Sequence, residues 1–410
     1  LPQTGAANYD PQMRPIILSL LLALHCHAQQ PQMAARASNA HALELFQFFR
    51  QATPGNFCFS PFSSHQMAAL LMTAANGETQ TELAALAHQT VGAAKEIEDL
   101  AALRAAMVAT VKRGSLTMEM THSLWAANQA SFAPDFLTSA QTTFGASLQK
   151  LPAGDATACA AAVNLWVREK TRSRIPQIVG PSAFPDPAHA VVAVSTLYLK
   201  GRWLSPFDLK LTKPRAFQTP ENRAVMLPTM LMPLGAFDYA EAESWQCLSM
   251  PMTDHEVRLL VLLPRDEAAR MKIEPGLTQE RWDAIGKGFA DCDVNLMLPK
   301  FGYSTQLSLK GFWQALGVKR LFEKGVADLS KGLPGGEYFI SDVSHEAEIE
   351  VNELGAIASA ATSAAAEPFG HPPDQPKRRK VSFIANHPFI WILEHKSTGL
   401  ILFMGRYAGG

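Results

Sequence analysis

The side chains that carry out most enzymatic chemistry are present in this chain but are not grouped for it. None of the spacings that build a nucleophile elbow (GxSxG), a zinc helix (HExxH), a Walker phosphate loop or a dinucleotide turn (GxGxxG) occurs. His255-Glu256 and His345-Glu346 each begin the zinc pattern and fail to complete it, and the twelve histidines are scattered, so neither a metal nor a cofactor is expected. Chemistry of another kind is offered by residues 352–370, NELGAIASAATSAAAEPFG. From Ala356 to Ala366 this run has no Leu, Lys or Arg and is nearly all Ala, Ser and Thr. So small and uncharged a segment suits a helix, a flexible linker, or a strand awaiting burial. Read with period 2, Ala356, Ala358, Ala360, Thr362, Ala364 and Ala366 share one face, while Ile357, Ser359, Ala361, Ser363 and Ala365 share the other. Either face could pass between two existing strands with few clashes, the property of a loop that becomes a strand.

The elements that must hold such a loop are legible around it. Residues 39–51 carry Leu43, Phe46 and Phe49 at helical spacing, a core-facing first helix. Residues 60–89 read as a turn, a buried helix ending at Gly77 and an amphipathic helix from Thr79. AVVAVSTLYL at 190–199 is apolar in both phases, as a central strand covered on both faces must be. Short alternating runs between Phe217 and Pro264 suggest hairpins, VNLMLPKF at 294–301 a further strand, and residues 306–322 a helix. HPFIWILEH and GLILFMGRY close the chain as paired strands. Helices early and strands late, with no repeat and no dividing linker, give an α+β fold in a single large domain.

Bulk properties exclude little. Across 410 residues, 36 Lys and Arg face 37 Asp and Glu, a net charge of -1, so whole-molecule electrostatics call for no specific nucleic acid and no membrane surface. Residues 1–12 read as an extension or tag; their LPQTG matches a sortase signal at the wrong end of the chain. Residues 13–28 have the layout of a signal peptide with cleavage after Ala28, which predicts a secreted protein, extracellular or periplasmic. Cys58, Cys159, Cys247 and Cys292 then remain, too far apart for a CxxC or zinc pattern, and read as isolated buried thiols. The lack of any Asn-x-Ser/Thr sequon in a secreted chain leans towards a bacterial source.

Seven landmarks in order resemble the serpins, the serine protease inhibitors that act by loop insertion. They are NFCFSPFSS at 56–64, NLWVREKTRSRI at 164–175, STLYLKGRWLSPF at 195–207, LPKF at 298–301, VADLS at 326–330, HPF at 387–389 and LFMGR at 402–406. The resemblance covers residues 38–410 and implies helices at the amino end, a large central sheet, two further sheets and an exposed reactive loop at about 353–384. It implies a monomer, not an enzyme, whose partner is a target serine protease held in a covalent acyl complex. The family's spacing from the hinge at Gly355 places the attacked bond at Phe369–Gly370, suited to chymotrypsin- or subtilisin-like enzymes. Ala364–Ala366 offers elastase-like enzymes a second site. Phe369 read by itself is also simply an aromatic at a loop tip.

The resemblance further assigns the hinge to Glu353, Gly355, Ala356, Ala358, Ala360, Ala361 and Thr362, with Ala356 standing where inhibitory members usually carry Thr or Ser. It implies a charge pair of Glu353 with Lys300 beside Trp203. It also implies a hydrogen-bonded cluster of Ser60, Ser63 and His345 that lets central strands part. Ser195 stands where the family usually has Asn, which is expected to shorten one bond and loosen that cluster. Lys377, Arg378, Arg379 and Lys380 form a basic run read as a solvated loop end, a weak polyanion patch, or a bait that trypsin-like enzymes cut without being trapped. The alternative to inhibition is a serpin-fold binding protein or decoy substrate.

Overall fold

The computed structural model describes residues 13–88, 93–113, 116–356 and 378–409. The helices are α1 (Met13–Ala52), α2 (Pro61–Ala74), α3 (Gly77–Leu86), α4 (Ala93–Arg113), α5 (Pro134–Thr142), α6 (Ala156–Lys170), α7 (Glu267–Ile273), α8 (Gln279–Lys287) and α9 (Lys310–Ala315). The strands, in chain order, are β1 (Phe57–Phe59), β2 (Thr117–Ala126), β3 (Ala146–Lys150), β4 (Ala190–Arg202), β5 (Lys213–Gln218), β6 (Ala224–Ala242), β7 (Trp245–Pro251) and β8 (Val257–Pro264). They continue as β9 (Ala290–Pro299), β10 (Phe301–Ser308), β11 (Phe339–Asn352), β12 (Gly355–Ala356), β13 (Arg379–Ile384), β14 (Phe389–His395) and β15 (Leu400–Tyr407).

Local chemistry explains where the site-bearing elements begin. Ser60 caps α2 by accepting the Ser63 amide at 3.1 Å, with Pro61 at the first helical position. Nearly all of α2 is buried, its polar Ser63, Ser64, His65 and Gln66 included. Asp155 caps α6 through the Ala158 amide at 2.9 Å, and Arg168 and Lys170 sit at its negative end. Both faces of β4 are buried along most of its length.

A six-stranded sheet runs β10-β11-β12-β4-β2-β3. A nine-stranded network runs β1-β15-β14-β8-β7-β6-β9-β13, with β5 paired to β6. The two further sheets expected from the sequence share the long β6, whose register shifts between Met232 and Gly235 and so bends from one to the other. One core cluster packs α1 and α2 against the six-stranded sheet, and a second fills the space between the two strand systems.

Several sequence expectations are corrected. Residues 294–301 are not one strand: Pro299 ends β9, and Phe301 begins β10 in the other sheet. Residues 306–322 are not one helix; β10 runs to Ser308, α9 covers only Lys310–Ala315, and a single 3-10 turn follows at Arg320–Phe322. Helix α2 stops at Ala74, and Gly77, at φ +52°, opens α3 instead of closing α2. The first helix begins at Met13, so its backbone includes the segment read as a leader. The four cysteines are free and buried, and burial pushes the Cys58 thiol up to about 12. Among the described residues no helix is long and apolar enough to cross a membrane.

Candidate functional site

The site is a sheet that is already parting. Strands β11 and β4 run parallel from Phe339 opposite Ala190 to Ala347 opposite Leu197, and their pairing stops there. Past that point the chain turns back and lays Gly355–Ala356 between them as β12. Ala356 faces Val351 on one side and Gly201 on the other, while Gly355 faces Asn352 and Arg202. Gly355 and Ala356 of the hinge therefore occupy strand positions, and Ala356 is fully buried there. A cavity opens beside the unpaired stretch, lined by Thr196, Tyr198, Arg174, Glu346 and Glu348. Burial and the neighbouring Glu348 push the Glu346 carboxyl up to about 7.

The hinge glycine is a steric requirement. A Cβ on Gly355 would collide with the carbonyl oxygen of Gly201, a backbone atom that cannot step aside. The turn that delivers it is knotted to the end of β4. Asn352 Oδ1 accepts the amides of Leu354 at 3.0 Å and Gly355 at 3.3 Å. The Trp203 indole donates to Asn352 O at 2.8 Å, and the Trp203 amide to Leu354 O at 3.0 Å. Glu353 Oε2 meets Lys300 Nζ at 3.0 Å, while its Oε1 accepts the Thr212 hydroxyl at 2.8 Å. Burial alone would raise the Glu353 pKa, but Lys300, its own amide and Thr212 outweigh that and hold it below the ordinary carboxylate range. Glu353, Lys300 and Trp203 are thus brought together as the sequence implied.

Lower in the sheet, His345 ties β11 to its neighbours. Its Nε2 accepts the Ser60 amide at 3.0 Å, and its Nδ1 lies 2.9 Å from Ser195 Oγ on β4. Because an amide can only donate, Nε2 must be bare, which leaves the hydrogen on Nδ1 to be given to Ser195. The imidazole is neutral, its pKa held down to about 3 by burial first and then by His122. Ser195 Oγ stands at ordinary hydrogen-bonding distance from His345. Ser63 does not join His345 directly; its hydroxyl lies 3.1 Å from His122 Nε2 on β2. His122 was missed in the sequence because an isolated histidine in a strand carries no signal of its partner. Thr212 was missed for the same reason, since no local pattern links it to Glu353.

The basic run is not a free patch. Arg378 Nε lies 2.5 Å from Asp291 Oδ2, and Arg379 Nη1 lies 2.8 Å from Glu241 Oε1. Arg379 and Lys380 belong to β13, paired in parallel with β9, and both stay exposed, so the run is a solvated strand start where a loop end was expected. The reactive loop likewise does not extend to residue 384. Cleavage after Arg379 would have to draw a hydrogen-bonded strand out of the sheet. Ala358, Ala360, Ala361, Thr362, Phe369, Gly370 and Lys377 lie outside the described residues.

Comparison with known proteins agrees with this geometry. The family profile Serpin (serine protease inhibitor) matches residues 36–409. Human leukocyte elastase inhibitor is 30% identical over 389 residues, covering 92% of this chain and 99% of its own. Iripin-2 of the tick Ixodes ricinus is 28% identical over 407 residues, covering 97% of this chain and 98% of its own. Among solved structures, Serpin48 of the insect Tenebrio molitor, described as a highly specific serpin, superposes with a TM-score of 0.80 at 25% identity, covering 92% of this chain and 98% of its own. A full-length profile match, with a parting central sheet and a hinge seated in its opening, shows that this chain belongs to the serpin family of serine protease inhibitors and is not an enzyme.

Proposed function

We propose that this serpin traps a chymotrypsin-, subtilisin- or elastase-like serine protease as its acyl-enzyme, with Phe369–Gly370 as the attacked bond. The observation that carries the reading is β12, in which Gly355 and Ala356 already hold the first positions of a strand between β11 and β4. The protease serine attacks the Phe369 carbonyl, an ester forms, and the Gly370 amine leaves with the proton delivered by the protease histidine. The fourteen residues 356–369 then extend β12 down the sheet by about 45 Å at roughly 3.3 Å per residue. The enzyme is dragged with the ester, and deacylation fails because its catalytic groups no longer hold their geometry. The small side chains of Ala358, Ala360, Ala361 and Thr362 suit this passage. The elastase named in the human relative supports Ala364–Ala366 as a second bait.

Secretion belongs to the same reading. Among the residues whose burial is described, the core begins with Ala34 and Ala35, and the family profile begins at residue 36, which is compatible with 13–28 serving as a leader removed after Ala28. Amino-terminal sequencing of exported protein should start at Gln29; material that keeps Met13 overturns export.

Incubation with chymotrypsin, followed by denaturing electrophoresis and mass analysis, tests the function. A band that survives denaturant and a released fragment beginning at Gly370 are expected. Clean cleavage with no covalent band, and no gain in heat resistance, would refute trapping and favour a decoy substrate or a binding protein.

A further inference from the structure

A second cavity lies at the end of the six-stranded sheet opposite the hinge. There the last residues of β10 and the first of β11 meet residues 178–183, downstream of α6. It encloses about 460 Å³, a volume suited to a small ligand. Strand β11 is irregular at this point, its register with β4 shifting between Ile340 and Asp342. The bulge buries Ser341, whose hydroxyl lies 2.6 Å from Ala183 O and 3.3 Å from Val191 O, and Asp342 lines the cavity.

Two opposite charges line this cavity without meeting. Asp342 accepts the Ser308 hydroxyl at 2.5 Å on Oδ1 and the Ser344 hydroxyl on Oδ2, and among the described residues no cation pairs with it. Lys310 Nζ donates to Ser341 O at 3.3 Å and stands 5.4 Å from the centre of the Phe322 ring, and among the described residues no carboxylate pairs with it. Gln306 gives its amide hydrogen to Ile178 O at 2.5 Å, which leaves Oε1 to accept. One carboxylate and one ammonium make the lining neutral. An anionic ligand would face Asp342 and a cationic one Lys310, so a neutral ligand fits best. Each Asp342 oxygen has taken one O–H donor and keeps room for another, which suits two neighbouring hydroxyls on one carbon frame. Lys310 offers only donors, which suits the lone pairs of a ligand oxygen.

We propose that this cavity binds a neutral polyhydroxyl ligand of monosaccharide size, whose neighbouring hydroxyls donate to Asp342 and Gln306 and whose oxygen accepts from Lys310. The site stands apart from the inhibitory chemistry and does not depend on loop insertion. Calorimetric titration and ligand-observed NMR on the full chain test it, with glucose, galactose, mannose and sorbitol as probes and glycine and inorganic phosphate as charged comparisons. At least one polyol should bind saturably at one site per chain, and glycine and phosphate should not. Asp342→Asn keeps the side chain's shape and should weaken that binding roughly ten- to a hundredfold, as should Lys310→Met, which keeps the stem beside Phe322. Each variant is read only where its thermal midpoint matches the parent's, and where one fails to fold the other carries the test. No saturable binding of any polyol overturns the proposal. So does binding that both folded variants retain at full strength, which would place the sugar elsewhere on the surface. Saturable binding of glycine or phosphate without any polyol overturns the ligand class.

Discussion

Acid should dissolve the native state earlier than an ordinary globular protein would allow, because fully buried histidines, His345, His122 and His65 with His41 beside them, are neutral in the fold. His345 has its pKa lowered to about 3, and His122 and His65 to about 4, each chiefly by burial. In the unfolded chain each titrates near 6.5. The unfolded state therefore binds protons that the folded state refuses, so stability is complete above about pH 6.5 and is lost as pH falls towards 3–4. Between pH 7.5 and pH 5 each histidine accounts for about 2 kcal/mol, or roughly 6 kcal/mol for the three. Glu346 works in the opposite sense: its raised pKa of about 7 means that protonation below that value relieves the fold. It returns about 1 kcal/mol after allowance for its partial contact with solvent. The net loss, roughly 5 kcal/mol, matches the whole stability of many domains. Urea unfolding followed by tryptophan fluorescence from pH 8 to pH 5 should show stability falling by roughly 3–4 kcal/mol per pH unit near pH 5.5. His345→Asn should remove about a third of that slope. A slope below about 1 kcal/mol per unit would refute the assignment of three buried neutral imidazoles.

Three substitutions probe the site. Gly355→Ala should push the hinge off Gly201, costing roughly 1–3 kcal/mol by overpacking. Faster hydrogen exchange at Ala356 and a smaller trapped fraction would report it; unchanged exchange would argue against the seat. Glu353→Gln should cost about 1–2 kcal/mol, because Lys300 is only partly exposed and its partner is buried; denaturant midpoints measure this, and no shift would make the pair incidental. Phe369→Ala should slow covalent capture of chymotrypsin by roughly a hundredfold while leaving elastase capture in place, since a lost aromatic empties one pocket and not the other. Equal loss for both enzymes would place the attacked bond elsewhere.

Burial periodicity carried much of the fold. The two-faced apolar run at 190–199 does form a central strand, and the closing runs do pair as β14 and β15. Composition marked 356–366 as small and uncharged, while its reading as a hinge came from the family resemblance; Glu353, Lys300 and Trp203 meet in the fold. Other features depended on partners far away in the chain. Residues 294–301 look like one strand because Val294, Leu296 and Leu298 keep one face apolar. Yet Pro299 has no amide for the ladder, and Lys300 turns to Glu353 of the hinge.

What the sequence determined by itself was therefore local: helix starts, apolar phase, and a segment small enough to enter a sheet. These follow from side-chain size, hydrogen-bonding capacity and period, which need no knowledge of neighbours. Only the tertiary structure decided that His345 carries its hydrogen on Nδ1, that Ser63 answers to His122, and that Arg378 and Arg379 meet Asp291 and Glu241. Each depends on which strand lies beside which, and the carboxylates that neutralise Arg378 and Arg379 lie 87 and 138 residues away in the chain. Charge and hydrogen-bond pairing at such separations is fixed by sheet topology.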